Sequence, residues 1–221
     1  MRFNKYIYND FTENYDQTIK DYVMHYEEMI NVIFNEIPDE DLKVLEMGCG
    51  SGNLTKKISE KQNLRITAVD ISETLLIEAQ QKLKESSNVN LKLGDILGID
   101  LKSNKFDYIL SFLFVHELYP TERDKLMDKL KEWSKSKTQI IIGDNFNVND
   151  QIDREKCIEE WYEWMIGRGI KTVDALKEIE MHIRDSIYTA DYLADLLKKV
   201  YFSISKILWS RNIYKVMVFK Q

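Results

Sequence analysis

Apolar and polar positions along the chain follow two different periods. Over residues 11–37 the apolar residues Tyr15, Ile19, Tyr22, Tyr26, Met29, Ile30 and Ile33 recur at helical spacing, which predicts a helix stopped by Pro38. Short β-rich runs then alternate with amphipathic stretches. KVLEM, RITAVD (65–70), NLKLGD (90–95), FDYILSFLF (106–114) and QIIIGD (139–144) read as five strands. Between the second and third, Ser72 can cap a helix with Leu75, Leu76, Ala79 and Leu83 on one face. Between the fourth and fifth, Thr121 with Asp124 resembles a capping box ahead of Leu126, Leu130 and Trp133. Such alternation predicts an α/β fold, a mostly parallel sheet with helices on both faces.

The rhythm changes after Asp144. Residues 150–185 suggest two helices, with Ile158, Trp161, Tyr162 and Met165 on one face of the first, and Gly167 and Gly169 breaking it. Thr189 opens a further helix carrying Leu193, Leu196, Leu197 and Val200. SISKILWS and IYKVMVFK, joined by Arg211-Asn212, read as a closing antiparallel hairpin. The expected organisation is one domain over 1–221, with a helical lid (1–37), a ligand-binding core (38–145), a helical insertion (146–188), and a last helix with the closing hairpin (189–221).

Composition narrows the partners. Of 221 residues 44% are hydrophobic and 31% charged, enough for a sizeable core, and the net charge of −6 argues against a nucleic-acid footprint, which is usually basic. Two cysteines, Cys49 and Cys157, make no disulfide framework. The polar, aromatic opening MRFNKYIYNDFTENYD has no apolar signal core, and no run approaches the roughly 20 residues that span a bilayer. A cytoplasmic protein without a membrane partner is the expectation.

Three of the eight glycines, Gly48, Gly50 and Gly52, stand at alternate positions in VLEMGCGSGNLT, between a strand and a helix. The spacing Glu-x-Gly-x-Gly-x-Gly differs from the dinucleotide fingerprint, and no Lys-Ser/Thr pair follows to make a phosphate loop. Glu46 is the informative residue. A carboxylate beside the glycines opposes a pyrophosphate and suits a cation such as S-adenosylmethionine (SAM), which carries an ammonium and a sulfonium. The glycines let backbone approach that ligand. Asp70, ending strand two, falls where a ribose is held, and Asp95, ending strand three, can accept from an adenine amino group.

ExGxGxG, AVDIS, GDI and FDYILSFLFVHEL, in that order over residues 40–145, resemble the class I SAM-dependent methyltransferases. The resemblance implies strand order 3-2-1-4-5-7-6 with strand seven antiparallel. It assigns Glu46, Gly48 and Gly50 to the methionine end, Asp70 to the ribose and Asp95 to the adenine, with Ile71 and Ile96 packed on the adenine faces. The C-terminal half and YDQTIKDYVMHYEEMI resemble the carboxy-SAM synthase family of tRNA uridine modification, and small-molecule methyltransferases related to it. In that family's N-terminal helix a tyrosine matching Tyr26 borders the cofactor. The arginine it uses on the extra carboxylate falls near Ala175, where this chain has none. That departure favours ordinary methyl transfer.

The methyl group of SAM is already activated, so the chain must align an acceptor and exclude water. No dense His/Cys/Asp cluster in the sequence suggests a metal. His116, in FVHEL, is the candidate base, since an unperturbed imidazole titrates near pH 6.5. His25 and His182 suit packing or surface roles. Aromatic residues crowd the N-terminus (Tyr6, Tyr8, Phe11, Tyr15, Tyr22, Tyr26) and the insertion (Trp161, Tyr162, Trp164), as core or as the lid of a partly apolar acceptor pocket. A SAM-dependent methyltransferase acting on a small-molecule acceptor is the principal expectation. A tRNA-modification enzyme of the carboxy-SAM synthase type and a non-catalytic protein binding SAM or S-adenosylhomocysteine are the alternatives.

Overall fold

The computed structural model describes residues 15–101, 105–184 and 187–221, so the expectations for residues 1–14, including Tyr6, Tyr8 and Phe11, lie outside the described residues. Two helices, α1 (Tyr15–Tyr22) and α2 (Tyr26–Glu36), precede β1 (Leu42–Met47). Then come α3 (Asn53–Ile58), β2 (Leu64–Asp70), α4 (Glu73–Lys82), β3 (Val89–Leu93) and β4 (Phe106–Phe112). A single 3-10 turn at Val115–Glu117 leads to α5 (Pro120–Trp133) and β5 (Ser134–Asn145). The chain continues through α6 (Gln151–Gly167), α7 (Thr172–Arg184) and α8 (Ala190–Lys198), and closes with β6 (Ser203–Arg211) and β7 (Tyr214–Lys220).

The seven strands form one sheet in the order β3-β2-β1-β4-β5-β7-β6. Only β7 runs antiparallel to its neighbours β5 and β6; the other pairings are parallel. This is the order and direction of strands expected from the sequence. Adjacent residues of the central strands serve opposite faces, because side chains alternate along a strand. Val44, Leu110, Ile141 and Val216 enter one core with Met29, Ile33 and Trp161. Leu45, Ile109, Ile142 and Met217 enter the other with Leu126, Leu130, Trp133 and Leu197. Burial on both faces explains why these strands read as nearly continuous apolar runs.

The structure corrects the sequence reading at four places. The helix expected through 37 is two helices, with His25 in the left-handed region at φ 61° between them. The break frees the carbonyl of Tyr22 to accept a 2.7 Å hydrogen bond from the Trp161 indole, tying α1 to α6. The capping box lies two residues before the expected one: Glu122 accepts from the Tyr119 backbone N–H at 3.0 Å, and Pro120 occupies the first helical position. Strand β5 begins at Ser134, because the polar segment before Gln139 extends the strand beyond its apolar part. Asp95 lies beyond the end of β3 rather than within it, exposed, with its carboxylate accepting from the Leu97 N–H at 2.9 Å. Ser72, Thr189 and the Asn212 turn behave as expected: both side chains cap their helices, and Asn212 takes φ 51° in the closing hairpin.

Candidate active site

The carboxyl ends of β1, β2, β4 and β5 meet at one edge of the sheet, and the glycine loop leaves β1 there. Gly48 and Cys49 donate backbone hydrogen bonds to the Val69 carbonyl, at 2.9 and 3.0 Å, which fastens the loop to the end of β2. Gly48 has φ +68°, and a Cβ on it would lie 2.4 Å from the Phe114 ring, so its lack of a side chain is required by the chain's own packing. Gly50 differs. A Cβ there would meet nothing closer than the Tyr15 hydroxyl at 3.8 Å, so the space beside Gly50 faces the cavity.

A cavity of about 280 Å³ opens against this loop. Its floor is Glu46, Gly48, Cys49, Gly50 and Ser51. Phe112, Leu113, His116, Glu117 and Asn145 come from the ends of β4 and β5; α1 and α2 contribute Tyr15, Tyr22 and Tyr26; α6 contributes Trp161; α7 contributes Asp174, Lys177, Glu178 and Met181. Leu113, with φ 51°, turns the chain out of β4 so that His116 and Glu117 reach the cavity. A side chamber of about 60 Å³ adjoins it and shares His116, Glu117, Asn145, Glu178 and Met181. No helix among the described residues is long and apolar enough to cross a membrane, and no group of three or more His, Cys, Asp or Glu among them is placed to hold a metal ion.

Helix α1 is tied to the loop by charge. Asp16 of α1 accepts from Ser51 Oγ at 2.5 Å and Asn53 Nδ2 at 3.0 Å, and pairs with Lys82 Nζ at 2.5 Å. Lys82 also reaches Asn53 Oδ1 at 2.7 Å. Tyr26 is buried against Phe112, ring centroids 5.1 Å apart, and its hydroxyl accepts from Asn53 Nδ2 at 3.1 Å. One short polar network thus joins α1, α2, the glycine loop and α4.

Glu46 is almost completely buried and accepts from Thr55 Oγ1 at 2.7 Å. Burial raises its pKa to about 8, against the Thr55 hydrogen bond and with help from the nearby Asp70 charge. Glu46 lines the cavity. Asp70 spends both oxygens on backbone: Oδ2 accepts from Gly50 N–H at 2.7 Å and Oδ1 from Ser72 N–H at 2.8 Å. Burial raises its pKa while those hydrogen bonds oppose the rise. Neither Asp70 nor Asp95 lines the cavity. Ile71 is 43% exposed, whereas Ile96 is buried in the second core.

His116, the candidate base, lines the cavity between two carboxylates. Its Nδ1 lies 2.5 Å from Asp144 Oδ1 and its Nε2 3.2 Å from Glu117 Oε1. Burial opposes its charge, but the two carboxylates outweigh burial and raise its pKa to about 10. A ring protonated at both nitrogens donates and cannot take a proton from an acceptor. His182 is pushed the other way, to about 4, by burial and by the His116 charge, and packs edge-on against Trp161. Burial, with the Glu46 and Asp70 charges, lifts the Cys49 thiol well above its ordinary range, which suits a packing role and not a nucleophile. Glu117, Asn145, Asp174, Lys177 and Glu178 were not singled out by sequence reasoning. The signals that could have found them are the polar residues following β4 and β5 at the ligand-binding edge, and the i, i+4 pair Asp174 and Glu178 on an amphipathic helix.

The family described as "Methyltransferase domain" matches residues 44–137. An uncharacterised methyltransferase of Geobacillus sp. (strain WCH70) is 29% identical over 69% of this chain and 68% of its own length. The carboxy-S-adenosyl-L-methionine synthase of Wolinella succinogenes is 26% identical over 81% of this chain and 76% of its own. Among solved structures, N-methyltransferase NodS from Bradyrhizobium japonicum, in complex with S-adenosyl-L-homocysteine, superposes with a TM-score of 0.68 at 15% identity, over 99% of this chain and 98% of that one. The strand order and these likenesses together give the class I SAM-dependent methyltransferase fold.

Proposed function

We propose that this chain, a SAM-dependent methyltransferase by its methyltransferase domain and class I fold, transfers the methyl group to a small organic acceptor held in the aromatic cavity beside the glycine loop. The observation that carries the proposal is continuity. The buried Glu46 carboxyl and the open side of Gly50 face the same cavity as Tyr22, Tyr26, Phe112 and Trp161. SAM, when bound, supplies a methyl carbon on a cationic sulfur. Glu46 and the loop then take its methionine end, Asp70 its ribose, and Tyr26 with α1 closes over it. Asp95, Ile71 and Ile96 remain candidates for the adenine end, which the cavity does not include. The aromatic walls hold the acceptor and exclude water. We read 1–37 as the lid, 38–145 as the cofactor core, 146–188 as the acceptor-covering insertion and 189–221 as the closing unit.

The carboxy-SAM synthase alternative is disfavoured by charge. Ala175 is fully buried, so the register that lacks an arginine faces the core and not the cavity. Lys177 does line the cavity, but between Asp174 and Glu178 on the same helix. A melting series with SAM, S-adenosylhomocysteine, carboxy-SAM, NAD and ATP tests the assignment. A ligand at 100 times its dissociation constant stabilises the fold by about 2.7 kcal/mol, which for a chain of this size is roughly 5–10 °C. Shifts of that size are expected with SAM and S-adenosylhomocysteine and not with NAD or ATP, alongside label transfer from methyl-labelled SAM to a small acceptor. A larger shift with NAD overturns the methyltransferase reading; a much larger one with carboxy-SAM moves the protein to the tRNA pathway.

Glu46 provides a second test. With its pKa raised to about 8 it is mostly protonated at pH 7 in the free protein, and an ammonium beside it ionises it. SAM binding near pH 7 is therefore expected to release a proton, and affinity is expected to rise with pH up to about 8. Calorimetry in phosphate and in Tris, whose ionisation enthalpies differ, reads that proton directly. Equal heats in the two buffers, or an unchanged difference in Glu46→Gln, would separate Glu46 from the ammonium.

A further inference from the structure

Resting on the methyltransferase reading, the geometry points to an amine as the acceptor, its nitrogen held by Glu178 and Asn145 at the junction of the main cavity and its side chamber. The polar wall shared by the two spaces is His116, Glu117, Asn145 and Glu178. Two of these are already matched: Glu117 pairs with His116, which also pairs with Asp144. Glu178 is different. Among the described residues it has no hydrogen-bond or ion-pair partner, although it faces both spaces. Asn145 supplies a second and independent observation. The residue is 8% exposed, and its side-chain oxygen is buried with no hydrogen-bond partner. A buried acceptor left without a donor is costly, on the order of 1–3 kcal/mol. A carboxylate and an amide oxygen on the lining of the same two spaces, both lacking donors among the described residues, call for a ligand group with several N–H donors and a positive charge.

The charge flow of methyl transfer selects the same class. Four acidic residues, Glu46, Glu117, Asp174 and Glu178, line the cavity against two basic ones, Lys177 and His116. An oxyanion acceptor would have to sit among these carboxylates, and transfer to it would annihilate the positive charge they stabilise. With an amine, the charge moves from sulfur to nitrogen and stays in the acidic site. An amine enters as its ammonium form and gives one proton to Glu178. Its freed lone pair forms the C–N bond as the C–S pair returns to sulfur. S-adenosylhomocysteine leaves neutral, the product leaves as the N-methylammonium, and Glu178 returns its proton to water. Burial and the Glu117 charge raise the Glu178 pKa to about 7, which suits a group that takes up and releases a proton near neutrality. The aromatic rings of Tyr22, Tyr26 and Trp161 give the cation a further favourable wall.

Three probes of matched size test this: 2-phenylethylamine, 4-ethylphenol and 3-phenylpropanoate, with tyramine as a probe carrying both an amine and a phenol. Mass spectrometry is expected to find the methyl on nitrogen for 2-phenylethylamine and tyramine, and no product from the phenol or the carboxylate. Calorimetry without cofactor is expected to detect 2-phenylethylamine binding, weakened about tenfold or more in Glu178→Gln. In the same variant SAM affinity should stay within about twofold, and the amine KM should rise. Asn145→Asp, which keeps an acceptor at that position, should retain amine binding, while Asn145→Leu should lose it. O-methylation of tyramine, transfer to the phenol or carboxylate, or no transfer to either amine by protein that binds SAM, would each overturn the amine assignment and leave the methyltransferase reading standing. Failure to bind SAM at all would overturn that reading itself.

Discussion

Asp70→Ala is expected to weaken SAM binding by about a hundredfold or more. In the proposed site the Asp70 carboxylate accepts from the ribose hydroxyls, and charge-assisted hydrogen bonds are each worth about 1.5–3 kcal/mol. The structure adds a reason for a large effect. Asp70 already accepts from the Gly50 and Ser72 N–H groups, so its removal also loosens the glycine loop at Gly50, while the Gly48 and Cys49 bonds to the Val69 carbonyl remain. Gly50 borders the cavity, and a loosened loop presents its backbone less often in the binding geometry. Asp70→Asn separates the two contributions, because it keeps the shape and one acceptor but loses the charge. Calorimetry is the measurement, with melting of the free protein as a control for the loop. Unchanged affinity in Asp70→Ala would remove this residue from the site. Asp95→Ala should cost less, since Asp95 is exposed and its visible partner is the Leu97 N–H.

Asp144→Ala is expected to destabilise the free protein by about 3–5 kcal/mol, the usual consequence of removing one partner from a buried ion pair. At this chain length that corresponds to a fall of roughly 6–20 °C in melting temperature. Asp144 is fully buried at the end of β5. It accepts from His116 Nδ1 at 2.5 Å, Tyr188 Oη at 2.8 Å, and the backbone N–H groups of His116 at 3.2 Å and Asn145 at 3.0 Å. Arg123, also fully buried, supports the same turn by donating to the carbonyls of Val115 at 3.1 Å and His116 at 3.0 Å while lying over the Tyr188 ring. The network fixes Glu117 at the cavity through its pairing with His116.

The pH dependence follows from His116, whose folded pKa of about 10 stands above the ordinary 6.5. A raised pKa means the folded state binds the proton more tightly. The stabilisation is therefore complete below about pH 6.5 and is lost as pH rises through about 10. The gap in melting temperature between wild type and Asp144→Asn should be largest near pH 6 and shrink toward pH 10. A gap that does not change with pH would mean that His116 is not charged in the fold.

What the sequence by itself determined is whatever depends on neighbours along the chain. Paired apolar positions such as Val44-Leu45, Ile109-Leu110 and Val216-Met217 each place one side chain in either core, so the strands and their burial on both faces were legible. Ser72 and Thr189 cap their helices through bonds three residues away, so those boundaries were legible too. The glycine spacing and Glu46 marked the sheet edge at which the cavity opens for the same reason. Only the tertiary structure decided the rest. His25 breaks the first helix where Trp161, far along the chain, takes the Tyr22 carbonyl. The surroundings of His116 depend on Asp144, at the end of β5, whose carboxylate raises the imidazole pKa. Ile71 and Ile96 each follow an acid in equivalent motifs, yet one is exposed and the other buried, because only Ile96 meets the second core. Glu117, Asn145 and Glu178 come from a turn, a strand end and a helix distant in sequence, and no local period can bring them to one wall. Their convergence is set by the packing of α7 over the ends of β4 and β5, and by the burial that leaves an acceptor there without a donor.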